Sequence, residues 1–281
     1  MKFNKTVVFG MLLVLFGSIL PNQSYAAASQ EKTPIILKMN DYYVAYTYPK
    51  APYVDKNNNR LMLPLRSTSE LLGAQVSYDQ ASQSAWMKQG KNVVKIKLGS
   101  KNAVVNGKDV SMDTAPVMEK GSMIIPARVL FNSFSYRAVV SQNIIQLKDE
   151  RLLRQGRLKY LLDDDRVAIS RTLNPSAFQP LYYTLSTNVR NKITEVIFNV
   201  VAKNISGADV PEGQENLSTL IYFEQGSTLD IPYSSVDIKD RKRPSVKKDA
   251  QITKDIRSKG GIQIQPNLLQ YILVSGRTIS P

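Results

Sequence analysis

The densest run of side chains able to bind a charged ligand lies at residues 239–248, which read KDRKRPSVKK. Arginine can donate two parallel hydrogen bonds to one phosphate or carboxylate, and lysine adds a less directional positive charge. This run, termed the basic loop below, therefore predicts contact with a polyanion, and the alternative interpretation is a solvated loop between strands. Its six cations are the candidate polyanion-binding residues: Lys239, Arg241, Lys242, Arg243, Lys247 and Lys248.

Two residue types that carry much enzyme and metal chemistry do not occur, because the sequence contains no histidine and no cysteine. Histidine is the commonest general base and transition-metal ligand, so serine–histidine triads and histidine-bound zinc or copper are excluded. Without cysteine, disulfides, thiolate metal sites and cysteine nucleophiles are excluded as well. We therefore predict no catalytic residue, no cofactor and no metal site.

Carboxylates could still support catalysis, because a glycan hydrolase needs two acids about 5–10 Å apart across a cleft. The sequence gives no sign that any two of the candidate glutamates are paired: Glu70, Glu195, Glu212, Glu215 and Glu224. A Ser-x-x-Lys match at 245–248 lies inside the basic loop and not at the start of a helix. A non-enzyme is therefore predicted, with a carboxylate-based glycan hydrolase as the less favoured alternative.

The charge of the whole chain points in the same direction as the basic loop. Its 281 residues include 37 lysines and arginines against 23 acids, a formal net charge of +14. Such a surplus favours anionic partners through long-range attraction, although general solubility is an equally good explanation. With 43% hydrophobic residues, the chain has enough apolar material for a folded core.

Residues 1–28 have the three-part layout of a cleavable signal peptide. Lys2 and Lys5 precede an apolar run over 6–20, and Pro21 and the small residues of 26–28 follow it. The run is short for a membrane span, which needs about 20 residues. We therefore predict a secreted, envelope-associated protein without a membrane span after cleavage, and export argues against nucleic acid as its partner.

One pattern occurs twice in the first half and predicts an internal repeat. Residues 61–66 read LMLPLR and residues 123–128 read MIIPAR, so that the two prolines are 126 − 64 = 62 residues apart. Each copy predicts a strand hairpin, a short helix after the proline, at about 67–72 and 129–134, and a returning strand pair. Serines at 67 and 69 offer capping oxygens, and Gly73 suits the end of the first helix.

Between the copies, residues 92–98 alternate with period two and Asn106-Gly107 predicts a hairpin turn. The string VKIKLGSKNAVVNGKDVSMDTAPVMEKGSMIIPARVLFNSF, residues 94–134, resembles the copper amine oxidase N-terminal-like stalk domain of secreted Gram-positive proteins. The resemblance covers about residues 35–148. The second copy departs from the family pattern, with Asn132 and Ser135-Tyr136 in place of Glu and Gly-Ala.

The family name implies no oxidase activity here, because the chain has no histidine to hold copper. Asn40-Asp41-Tyr42-Tyr43 also does not fit the sequence motif around the amine oxidase cofactor. The resemblance implies a small antiparallel sheet wrapped on short helices. Such a domain serves outside the cell as a spacer, adhesion or ligand-binding module.

Residues 149–166 predict a charged, partly helical linker, and Asp163–Asp165 within it predict a solvated turn in preference to a calcium site. The part from 167 to 281 is not recognised, and its short apolar runs predict a β-sandwich-like domain. The predicted strands are 181–185, 193–202, 217–223, 229–231, 235–238 and 268–274. On one face of 193–202 we expect Val196, Phe198, Val200 and Ala202.

Together these observations predict an α+β or mostly β protein: a signal peptide (1–28), a stalk-type repeat domain (35–148), the linker and the sandwich-like domain. Its predicted function is that of an exported, non-catalytic binding or scaffold protein of the bacterial cell envelope that contacts anionic wall polymers. The main alternative is a secreted accessory subunit whose sheet edges recruit an envelope protein. Salt separates the two, because polyanion binding weakens steeply with salt and a hydrophobic interface does not.

Overall fold

The computed structural model describes residues 31–281 apart from 142, 155, 157, 160–162, 164, 191–192, 224–227, 230–242, 260–267 and 281. The expected signal peptide lies outside the described residues, as does the basic loop up to residue 242. Among the residues described, no helix is both long and apolar enough to span a bilayer.

In the first half, two segments run through the same order of strand, strand, helix, strand, strand. The first comprises β4 Tyr53–Asp55, β5 Arg60–Pro64, α1 Leu65–Leu71, β6 Gln75–Asp79 and β7 Ser84–Gln89. The second comprises β11 Val117–Glu119, β12 Ser122–Pro126, α2 Ala127–Ser133, β13 Ala138–Ser141 and β14 Ile144–Leu147. Before and between them lie β1 Thr33–Pro34, β2 Leu37–Met39, β3 Tyr42–Thr47, β8 Asn92–Lys97, β9 Asn102–Val105 and β10 Lys108–Ser111.

The second half begins with a 3₁₀ turn, Glu150–Leu153, and the short helix α3, Arg166–Ser170. Its strands are β15 Thr172–Asn174, β16 Phe178–Arg190, β17 Ile193–Asn204, β18 Glu215–Phe223, β19 Thr228–Leu229, β20 Gln251–Lys259 and β21 Leu269–Ile279. The strands predicted from 181, 193, 217 and 268 are confirmed and extended. The predicted strand 235–238 lies outside the described residues.

Both longer helices start directly after a proline, two residues earlier than predicted. Pro64 and Pro126 occupy the N-cap positions, and neither helix has a side-chain cap there. The capping role expected for Ser67 was therefore wrong, since its hydroxyl lies inside the helix and donates to the Tyr48 carbonyl at 2.8 Å. Gly73 ends the first helix as predicted, with a φ of +86°.

The strands form four sheets. The central sheet has the order β13-β14-β2-β3-β21-β18-β19, with β15 also paired to β21. The outer sheet has the order β1-β16-β17-β20, the small sheet β11-β12-β5-β4, and the five-stranded sheet β10-β9-β8-β7-β6. All pairings are antiparallel except that of β14 with β2. The strand-rich fold class predicted from the sequence is thus confirmed.

The central sheet separates two hydrophobic cores because successive side chains of a strand point to opposite faces. On one face, Tyr43 of β3 and Ile272 of β21 pack on the outer sheet, against the predicted apolar face of β17. On the other face, Tyr42 and Leu273 pack with the helices and strands of the first half. All four side chains are almost fully buried.

Strands from both sides of the expected linker share this central sheet. β21 lies between β3 from the first half and β18 from the second. The two sheets of the sandwich therefore include residues 37–47 as well as the part beyond 167. Residues 31–281 form one compact unit, and whether 35–148 and 167–281 fold independently stays a prediction.

Candidate functional site

The structure describes three of the six candidate residues of the basic loop. These three, Arg243, Lys247 and Lys248, lie at its C-terminal end, while Lys239, Arg241 and Lys242 lie outside the described residues. Lys247 Nζ donates to Asp209 Oδ2 at 2.8 Å, and the backbone N–H of Lys248 donates to Oδ1 at 2.8 Å. Lys247 first, and then the Lys248 amide, lower the pKa of the Asp209 carboxyl. One loop cation is thus already paired with an acid.

Asn204, at the end of β17, holds this end of the basic loop in place. Its side-chain amide is fully buried and donates to the carbonyls of Val246 and Lys247 at 3.1 and 3.0 Å. Val246 also forms an isolated bridge with Val210. Because a buried amide needs such partners, residues 246–248 have a defined backbone position beside residues 209–210.

The largest open cleft lies elsewhere, between α2, the β4–β5 hairpin and β13. It has a volume of about 690 Å³ and is termed the α2 groove. Three of its lining residues are arginines, Arg60, Arg128 and Arg137, and among the described lining residues the only acid is Asp113. Asp113 Oδ2 lies 2.5 Å from Arg60 Nε and 3.3 Å from Arg128 Nη1. The groove therefore carries an excess of positive charge.

The arginines of the two Pro-x-Arg motifs pair with nearby acids, as expected from the sequence. Arg66 lies 3.8 Å from Glu70 one helical turn away, and Arg128 contacts Asp113. Both arginine side chains are more than half exposed, so each ion pair contributes little to stability. The role of Arg128 in the groove was missed, because Arg60 and Asp113 are distant from it in sequence.

β13 forms one edge of the central sheet and borders the α2 groove. All four of its residues are exposed, with Val139 at 53% and Val140 at 72%. Within the part of the chain that the structure describes, its outer side pairs with no strand. An exposed strand edge offers free N–H and C=O groups to an added strand.

The carboxylates show no arrangement typical of a glycan hydrolase among the described residues. Glu215 is 2% exposed and contacts Lys254 Nζ at 2.8 Å, while Glu70 lies beside Arg66. Glu224 lies outside the described residues. Asp113 is the single described acid in the α2 groove, whereas hydrolysis needs two acids facing each other across the cleft.

The expected solvated turn at residues 163–165 was wrong for its last residue. Asp165 is 2% exposed and is paired with Arg277 Nη2, itself in a side chain 3% exposed. Tyr42 donates to the same carboxylate oxygen at 2.6 Å, and burial first, then Asp165, raises the pKa of its hydroxyl. This buried network joins β3, the start of α3 and β21. Among the described residues, no group of acids is arranged to hold a metal.

No curated protein matches the chain. The model of one protein family does match, and it is described as the copper amine oxidase N-terminal domain. The match covers residues 38–147, which contain the α2 groove and all strands from β3 to β14, and it confirms the resemblance expected over about 35–148. This part of the chain is therefore similar to the copper amine oxidase N-terminal domain, a non-catalytic, stalk-like domain.

Proposed function

We propose that the protein is an exported, non-catalytic binding or scaffold protein of the bacterial cell envelope, and that it contacts anionic wall polymers. The observation that carries this proposal is the combination of a stalk-type domain with a net charge of +14. A large positive charge attracts polyanions over long distances and releases their counterions on contact. The stalk-like domain is compatible with spacing or scaffolding outside the cell.

The test is sedimentation of the chain from residue 29 onward with purified Gram-positive cell walls, with and without teichoic acids. The salt concentration is varied from about 50 to 500 mM, because polyanion binding weakens steeply over such a range. Binding that requires the polymer and falls with salt is the expected result. Full recovery of the protein in the supernatant at low salt would overturn the proposal.

A matched pair of variants shows which cations are responsible. The first replaces the six cations of the basic loop with serine. The second replaces six lysines of residues 88–108 with serine, so the loss of charge is the same: Lys88, Lys91, Lys95, Lys97, Lys101 and Lys108. A non-specific charge effect weakens both variants equally, whereas a site weakens one of them.

The alternative function, an accessory subunit that recruits an envelope protein, is supported by the free edge of β13. A partner segment could add to this edge as a further strand while the α2 groove receives its side chains. Val140→Lys places a charge on the edge and is expected to abolish such pairing without unfolding the protein, since Val140 is 72% exposed. Binding that is insensitive to salt and lost in this variant would favour the alternative. Release of soluble sugar from wall material would instead indicate a hydrolase.

A further inference from the structure

A second cationic region lies outside the basic loop, on the five-stranded sheet. Residues 88–108 contain six lysines and no aspartate or glutamate. This segment covers the end of β7, the whole of β8 and β9, and the start of β10. Its lysines therefore act on one side of the molecule instead of being dispersed over the surface.

The alternation of β7 and β8 places three of these lysines on the solvent-facing side of the sheet. Met87, Val94 and Ile96 point to the buried side and are fully buried. The residues between them point outward, so Trp86 is flanked on this face by lysines: Lys88, Lys95 and Lys97. This set of four residues is termed the tryptophan–lysine face.

The register brings the members of this face into contact distance. Trp86 lies directly opposite Lys95 on the neighbouring strand, and Lys95 Nζ lies 5.0 Å from the centre of the indole ring. Lys97 follows Lys95 by two residues, which corresponds to about 7 Å along a strand. The face thus combines one aromatic ring with positive charges on either side of it.

These lysines carry no ion pair to an acid within the described part of the chain, whereas Lys50, Lys203, Lys247 and Lys254 do. The acids that share the face lie on its two outer strands. Asp79 is on β6, where its carboxylate accepts hydrogen bonds from the Ser82 hydroxyl and the Ala81 amide, and Asp109 is on β10. The three inner strands therefore present lysine charge that no acid neutralises.

We propose that the tryptophan–lysine face binds a phosphate-bearing glycan, with a sugar ring on the Trp86 indole and phosphates beside the lysines. An aromatic ring offers a flat apolar surface to the C–H face of a sugar, and lysine supplies an attraction without strict geometry. Single-stranded nucleic acid fits less well, because successive bases need several aromatic platforms and Trp86 is the one aromatic residue of this face. This inference rests on the proposed function and names the surface and the ligand class.

Trp86 is the only tryptophan of the 281 residues, so its fluorescence reports on this face alone. The probe is purified teichoic acid, titrated into the chain from residue 29 onward at about 50 mM salt. We expect a change in the emission of Trp86 that saturates and is reversed by salt. The six-lysine variant of residues 88–108 should bind about tenfold more weakly or worse, and the basic-loop variant should retain the fluorescence change.

Trp86→Phe, with binding measured by sedimentation, separates stacking from charge and should weaken binding by several-fold. Unfolding curves of each variant check that the fold is kept. The inference is overturned if wild-type protein binds the polymer while the Trp86 emission stays constant and the six-lysine variant binds normally; the proposed function survives that result. Tighter binding of a single-stranded oligonucleotide would overturn the glycan assignment, and absence of any polymer binding would overturn both proposals.

Discussion

Leu63 of β5 and Ile125 of β12 lie directly opposite each other in the small sheet, although 62 residues separate them in sequence. They are equivalent positions in the predicted repeat, and the neighbouring pairs, Met62 with Pro126 and Pro64 with Ile124, also join the two copies. The two strands therefore cross about an approximate local twofold axis. Both central side chains are fully buried.

Replacing either central residue should destabilise the fold strongly. We expect Leu63→Ala and Ile125→Ala each to lower the free energy of unfolding by about 2–5 kcal/mol, because each leaves a cavity. The double variant should depart from additivity, since the two side chains are in contact. Denaturant unfolding measures all three, with Val139→Ala at the exposed edge as the control expected within about 0.5 kcal/mol of wild type. Equal curves for the central and edge variants would contradict this packing.

The ends of the two helices give a prediction of opposite sign. Ser135 occupies the position equivalent to Gly73, with a φ of +57°, and Tyr136 N–H bonds the Phe131 carbonyl at 2.8 Å as Ala74 N–H bonds Ser69. Serine in this left-handed conformation is strained, and glycine is not. We expect Ser135→Gly to raise the free energy of unfolding by about 0.5–1 kcal/mol and Gly73→Ser to lower it by at least as much. A loss of stability in Ser135→Gly would be inconsistent with the observed helix end.

The buried pair of Asp165 and Arg277 should be costly to break and cheap to replace. Asp165→Asn leaves the arginine charge buried without its counter-ion, for which we expect a loss of about 3–5 kcal/mol. The double variant Asp165→Leu with Arg277→Met removes both charges and should recover part of that loss. Thermal and denaturant unfolding of the single and double variants provide the measurement. A double variant as unstable as the single one would contradict this assignment of the cost to an unpaired charge.

Buried tyrosines predict a loss of stability at alkaline pH. Burial first, then the nearby Asp41 charge, raises the pKa of Tyr43 to about 12 from an ordinary value of 10.0. A raised pKa in the folded state gives a stabilisation that is complete below pH 10 and is lost as the pH rises from 10 to about 12. Tyr43→Phe should reduce the slope of stability against pH in this window. An unchanged slope would show that other tyrosines determine it.

The parts of the fold fixed by local patterns could be predicted from the sequence. The alternation of β17, the Asn106-Gly107 turn and the glycine at 73 act over a few residues and are all observed. β20 was missed because its inward residues, Ile252 and Ile256, are only half-buried and Lys254 lies between them. Such a charged edge strand lacks the apolar alternation on which strand prediction depends.

Long-range pairings could not be predicted in the same way. The α2 groove joins Arg60, Asp113 and Arg128, which come together only because β5 pairs with β12. The buried partner of Asp165 lies 112 residues further along the chain. The tryptophan–lysine face was visible in the sequence as lysines at alternate positions of a strand, but the alternation alone did not show which neighbours share the face.

The position of β21 has a consequence for how the protein is made. Residues 269–279 form the middle of the central sheet, so residues 42–47 have no antiparallel partner on that side until this strand is available. A growing chain therefore holds most of its sequence without its final architecture, and loops of more than 200 residues close last. Such late closure suits a polypeptide that must be threaded through a narrow translocation channel, because it keeps the chain pliable until passage is nearly complete.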